Sequence, residues 1–150
     1  MAVGRRSTLD LSDNGLGVGS PEGQSGNGAA AAVASLLTDE KSSALAVLRL
    51  SYNLLSAKHA RRLSECLPKN ACLLTLDLSW NSLGDGGVMA LSDALRANRT
   101  LLTLDLTHVE CGERGTMVVA DMLKENRGLK TCLLNENPIG QRGGRAVIRR

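Results

Sequence analysis

The sequence predicts an α/β solenoid: a right-handed coil of about five strand–turn–helix units, with an inner parallel sheet and outer helices, forming a single array over residues 1–150. Three observations predict it. Apolar residues recur at a fixed spacing of 28 residues. Within each period, a run that alternates apolar and polar residues is followed by a run with helical spacing. The apolar fraction, 43%, is almost wholly aliphatic, with no Phe, one Tyr and one Trp, so the core must be built from Leu, Val, Ala and Met.

The first unit opens on Leu9, Leu11 and Asn14, and the alternation of the leucines with Thr8, Asp10 and Ser12 fits a half-buried strand. Asn14 lies 39 residues before Asn53, one period plus an excess of 11. Most of the excess falls at 17–28, where five glycines and a proline predict a flexible loop inserted in the first repeat. The remainder falls around Lys41 to Ser43. Between these two places, Ala30, Val33, Leu36 and Leu37 form one helical face.

The later units are regular. Leu45, Leu48, Leu50 and Asn53 define the second strand, and Ala60, Leu63, Cys66 and Leu67 the helix that follows it. Leu73, Leu76, Leu78 and Asn81 are followed by Val88, Leu91, Ala94 and Leu95. Leu101, Leu104 and Leu106 are followed by Val109 where asparagine is expected, then by Thr116, Val119, Met122 and Leu123. The fifth unit supplies Leu129, Cys132, Leu134 and Asn137. It stops at Arg150, one residue short of the position matching Leu95 and Leu123, so the last repeat reads as truncated.

The asparagines are expected to be structural. Asn14, Asn53, Asn81 and Asn137 sit where the chain leaves the strand, and their side chains can satisfy buried backbone groups there. Val109 cannot, which predicts a rearranged or weakened turn at that point. Asn70, Asn98 and Asn126 end successive helices, a place suited to left-handed backbone.

Together, the L-x-x-L-x-L-x-x-N strand, the long unit and the helix ending in L-x-x-N resemble the ribonuclease-inhibitor subfamily of leucine-rich repeats, over roughly Leu9 to Arg150. That resemblance implies a horseshoe segment. It does not single out an activity, because similar repeats occur in ribonuclease inhibitor, in the sensing regions of NOD-like receptors, in Ran GTPase-activating protein and in axonemal or cytoskeletal scaffolds. A GTPase regulator of this kind needs a suitably placed loop Arg or Asn and an acidic C-terminal tail, and this chain ends basic. A receptor sensor needs a nucleotide-binding region upstream.

Side chains between the strand leucines point to the concave face and align in columns. One column reads Thr8, Val47, Thr75, Thr103, Thr131; the next Asp10, Arg49, Asp77, Asp105, Leu133; a third Ser12, Ser51, Ser79, Thr107, Asn135. A fourth, at the strand exit, reads Asp13, Tyr52, Trp80, His108, Glu136. With strands about 4.8 Å apart, Asp77 and Asp105 become neighbours whose repulsion a basic partner would relieve. Tyr52 and Trp80 become neighbours too, and residues of these types are enriched at binding hot spots. Asp10, Arg49, Tyr52, Asp77, Trp80, Asp105, His108 and Leu133 are therefore the candidate protein-binding residues. The competing reading is that the aromatics only cover the strand ends and the aspartates are solvated.

Other classes fare worse. There is no GxSxG, HExxH or phosphate-loop pattern, so no catalytic residue, metal ligand or cofactor is assigned. His108 and Cys111 have metal-ligand spacing, but Cys111 aligns with the core residues Leu55 and Leu83. The Gly84-Asp85-Gly86-Gly87 and Gly140-Gln141-Arg142-Gly143-Gly144 runs align with each other as strand-to-helix turns. Asn98-Arg99-Thr100 fits a glycosylation sequon, yet Asn98 occupies a repeated structural position. A net charge of +3, from 18 basic and 15 acidic residues, signals neither nucleic acid nor membrane. Arg142, Arg145, Arg149 and Arg150 lack interleaved aromatics and read as a solvated face.

No apolar run approaches the ~18 residues of a membrane span, and Met1 to Ser12 lacks the apolar core of a signal peptide. Four cysteines without a CxxC pair suit free thiols in a reducing compartment, and a cytoplasmic location is expected. Neither end carries the polar cap that solenoids need, so the expectation is a longer parent chain or ends covered by assembly contacts. The functional expectation is a non-catalytic protein-binding scaffold.

Overall fold

A computed structural model describes residues 6–18, 27–38 and 44–148. Strands and helices alternate along it: β1 (Ser7–Asp10), α1 (Asn27–Thr38), β2 (Leu45–Arg49), α2 (Ala57–Cys66), β3 (Thr75–Asp77), α3 (Gly84–Ala97), β4 (Thr103–Asp105), α4 (Glu113–Glu125), β5 (Thr131–Leu133) and α5 (Gly140–Ile148). The strands form one parallel sheet in chain order. Leu48 pairs with Leu76, Leu76 with Leu104 and Leu104 with Cys132, so the sequence period is the sheet register. Of the insertion expected at 17–28, residues 19–26 lie outside the described residues, as does the segment 39–43.

The core lies between sheet and helices. Leu48, Leu50, Leu76, Leu78, Leu104 and Leu106 enter it from the strands, and Leu63, Leu67, Leu91, Leu95, Val119 and Met122 from the helices, all buried. Each such side chain contributes roughly 1.5–3 kcal/mol through removal from water. Helices packed at about 10 Å spacing behind strands at under 5 Å bend the array toward the sheet, which makes the sheet face concave.

Two asparagine ladders lock successive units together. At the strand exits, Asn81 Oδ1 accepts the Asn53 and Leu55 amides (3.1 and 2.9 Å), while its Nδ2 donates to the Leu50, Leu78 and Ser79 carbonyls. Asn53 and Asn137 repeat the pattern. The rearranged turn expected at Val109 does not occur: its amide and that of Cys111 both reach Asn137 Oδ1 at 2.9 Å, and His108 keeps the backbone of its counterparts. What valine removes is felt one unit earlier, where Asn81 N–H and Leu83 N–H find no side-chain acceptor at position 109.

The second ladder corrects another expectation. Asn98 and Asn126 are extended (φ −71, ψ 135 and φ −70, ψ 129), not left-handed. Their side chains turn inward instead. Asn98 Nδ2 donates to the Leu67 and Asn70 carbonyls and its Oδ1 accepts the Thr100 and Leu101 amides; Asn126 does the same with Leu95, Asn98, Gly128 and Leu129. Satisfying the carbonyl end of the preceding helix outweighs the intrinsic preference of asparagine for a left-handed cap. The sequon at Asn98 is therefore occupied by a buried structural side chain.

Left-handed glycines do open the turns into α3 and α5, at Gly84 (φ 58) and Gly140 (φ 62). Carboxylates in the first turns of α3 and α4 cap the next helix along. Asp85 Oδ1 accepts the Gly112 and Gly115 amides at the start of α4 (2.7 and 3.0 Å), and Glu113 Oε2 accepts the Arg142 amide in α5. A carboxylate at a helix N-terminus also gains from the helix dipole.

Cys66 and Cys111 are buried, and burial pushes both thiols above their ordinary range. Cys72 and Cys132 are only half-buried. In a timed alkylation of native protein, Cys111 is expected to react only as fast as the chain opens, at least about tenfold slower than Cys72. Peptide mass spectrometry reads this directly, and equal rates would place Cys111 outside the core.

Candidate protein-binding face

The sheet register assembles the predicted columns. Asp77 pairs with Asp105, Asp105 with Leu133, and Arg49 with both Asp10 and Asp77. The aspartates are not simply solvated. Asp77 Oδ1 accepts the Ser79 amide and hydroxyl (2.9 and 2.7 Å), Asp105 Oδ1 the Thr107 amide (2.8 Å), and Asp10 Oδ1 both groups of Ser12. At Asp10 the Ser12 hydroxyl and amide, with Arg49 at 3.7 Å, hold the carboxyl below its ordinary value. One oxygen of each aspartate is thus fixed by its own strand exit. In Asp77 and Asp105 the other makes no ion pair among the described residues.

The third column is less available than its sequence suggests. Ser51 and Ser79 are buried, and Ser51 Oγ donates to Ser12 Oγ at 2.9 Å. Leu133, by contrast, is 36% exposed at the end of the aspartate column.

In the fourth column the ring side chains form a continuous stack. Tyr52 and Trp80 stack with ring centroids 5.1 Å apart and planes within 8°, and Trp80 and His108 at 4.1 Å and 18°. His108 Nδ1 also lies 3.6 Å from Glu136 Oε2. The stack thus runs through three units and ends on a carboxylate. Sequence reasoning paired the two aromatics; the third ring was in the same column, but nothing in its residue type announced that it would stack.

What aligns the rings is the backbone. Asp13, Tyr52, Trp80, His108 and Glu136 all have φ between 51 and 57, the left-handed region. For bulky side chains that conformation is uncommon and costs roughly 1–2 kcal/mol per residue. It turns each side chain out of the strand alternation to stand beside its counterpart. Tyr52 remains 51% exposed, and Leu54, also left-handed, is 63% exposed beside it. The result is a row of stacked rings beside the Asp77–Asp105 column of the sheet, with Glu136 at its end. Among the described residues no group of three or more His, Cys, Asp or Glu side chains is arranged to hold a metal ion.

Comparison with known proteins bears on this arrangement. A family model described as Leucine Rich repeat matches residues 69–92. No curated protein matches the sequence. Among solved structures, leiomodin-1 actin-binding site 2 superposes with a TM-score of 0.77 at 19% identity, covering 95% of this chain and 76% of that one. The tropomodulin C-terminal domain of Caenorhabditis elegans superposes at 0.69 with 14% identity, covering 98% and 83%. With five parallel strands alternating with five helices and these neighbours in shape, the fold is an α/β leucine-rich-repeat solenoid.

Proposed function

We propose that this chain is a non-catalytic scaffold that holds a basic segment of a partner protein on its concave face. The observation that carries the reading is the Tyr52–Trp80–His108 stack built on left-handed backbone. Three bulky residues occupy positions that glycine or asparagine would fill at lower cost, and strain of that kind concentrates at functional sites. The long aliphatic stem of an Arg or Lys fits along the row of rings while its head reaches the free oxygens of Asp77 and Asp105. A solved neighbour in shape is named for actin binding, which supports a protein partner as the class of ligand. The 28-residue units with outer helices favour the ribonuclease-inhibitor type of repeat, and four free cysteines favour a reducing, cytoplasmic setting.

The test is affinity capture from native extract with the wild-type chain beside a Trp80→Asn, Asp105→Lys variant. Asparagine tolerates left-handed backbone, so the variant is expected to stay within about 2 kcal/mol of wild-type stability. A stoichiometric partner held by the wild type is expected to bind the variant at least about a hundredfold more weakly, as befits loss of a hot-spot aromatic and reversal of a facing charge. Equal retention of that partner would move the binding site off this face.

A further inference from the structure

The helical side of the array carries a charge pattern opposite to that of the sheet. One outward position, followed at 28-residue spacing through α2 to α5, reads Arg61, Met89, Met117, Arg145. Beside it stand Lys58, Arg114 and Arg142, and all seven side chains are exposed. Met89 and Met117, at 36% and 44% exposure, are large apolar side chains with water on one side. Met117, Arg142, Arg145 and Ala146 line an open cavity of about 310 Å³ between α4 and α5.

None of these five cations is in an ion pair among the described residues. The helical acids near them are already engaged. Asp85 and Glu113 accept backbone amides at helix starts, Glu65 faces Arg62, Asp121 holds Lys124, and Asp93 and Glu125 both hold Arg96. Cations therefore collect, without internal partners, around an apolar centre. Met89 and Met117 stand in one row of this face, and the adaptable thioether suits a surface that repacks around a ligand.

We propose that the convex face of α3 to α5 is a second docking surface, for an acidic segment of a partner protein that seats an apolar side chain against Met117 and Ala146. Carboxylates on either side of that anchor meet Arg142 and Arg145, whose planar guanidinium groups match a carboxylate with two parallel hydrogen bonds. Charge complementarity selects this occupant over the basic segment assigned to the concave face. The two faces then bind partners of opposite charge, and the chain acts as a connector.

The probe is a displayed peptide library rich in Glu, Asp and large apolar residues, selected on the whole chain and followed by fluorescence anisotropy of the enriched peptides. Enriched peptides are expected to combine acidic residues with an apolar anchor and to bind at least about tenfold more weakly to the Arg142→Glu, Arg145→Glu variant. Met117→Lys should produce a similar loss, while Asp77→Lys, Asp105→Lys on the concave face should leave binding intact. All these side chains lie at the surface, and an unchanged circular dichroism spectrum secures the fold of each variant. Three outcomes overturn the proposal. They are no enrichment of acidic peptides, enrichment that ignores Arg142 and Arg145, and an Arg142- and Arg145-dependent attachment only to phosphatidylserine vesicles or to a second copy of the chain.

Discussion

Replacing Asn81 with Ala is expected to lower the unfolding free energy by about 3–5 kcal/mol, the largest stability loss of any single polar substitution in the array. The side chain is buried and makes five hydrogen bonds, two accepted and three donated, all to backbone. Alanine leaves the Asn53 and Leu55 amides without an acceptor in a place where water does not reach. An unpaired buried backbone group costs about 1–3 kcal/mol, so two of them account for most of the effect. Urea denaturation followed by far-ultraviolet circular dichroism measures it as a fall in midpoint. In the same experiment Val109→Asn is expected to raise the midpoint, because it offers acceptors to Asn81 N–H and Leu83 N–H. A shift of under about 1 kcal/mol for Asn81→Ala would mean that the strand-exit ladder does not carry the stability assigned to it.

The second large effect is steric. A Cβ at Gly115 would lie 2.7 Å from Asp85 Oδ1, 2.8 Å from Cys111 Sγ and 3.3 Å from Asp85 Cα. The aspartate can swing away only by abandoning the Gly112 and Gly115 amides that it caps. Gly115→Ala therefore combines overpacking, about 1–3 kcal/mol, with the loss of a helix cap, about 1 kcal/mol. The expected total is about 2–4 kcal/mol, against the gain of under 1 kcal/mol that Gly→Ala gives in an unconstrained helix. Because the damage sits between α3 and α4, pairing the change with Asp85→Ala should be less than additive, and full additivity would show that the two residues do not share a contact.

Much of this architecture was legible in the sequence because one number, the 28-residue period, sets both strand register and side-chain columns. Once Leu76 is placed under Leu104, the adjacency of Asp77 with Asp105 and of Tyr52 with Trp80 follows without further information. Backbone conformation was harder to read. Tyr and Trp disfavour positive φ, so residue type argued against the left-handed exits that aim their rings. Asn98 and Asn126 erred in the opposite direction: asparagine at a helix end suggests a left-handed cap, but the free carbonyls of the preceding unit offered more bonds. The carboxylate caps were hidden for a related reason. Asp85 serves amides 27 and 30 residues away, and its glycine-rich neighbours pointed only to a local turn.

The Asn81 and Asn126 ladders join groups 26 to 31 residues apart. Adding or deleting a single residue within a strand, its exit or a helix would shift donors past their acceptors. The 11 extra residues between Asn14 and Asn53, by contrast, leave the strand-exit ladder intact. Duplicating or excising a whole unit leaves each junction matched. Genetic change in the length of such a chain is therefore expected to come in complete copies, made by recombination between units, with smaller insertions tolerated where a loop lies between one ladder and the next.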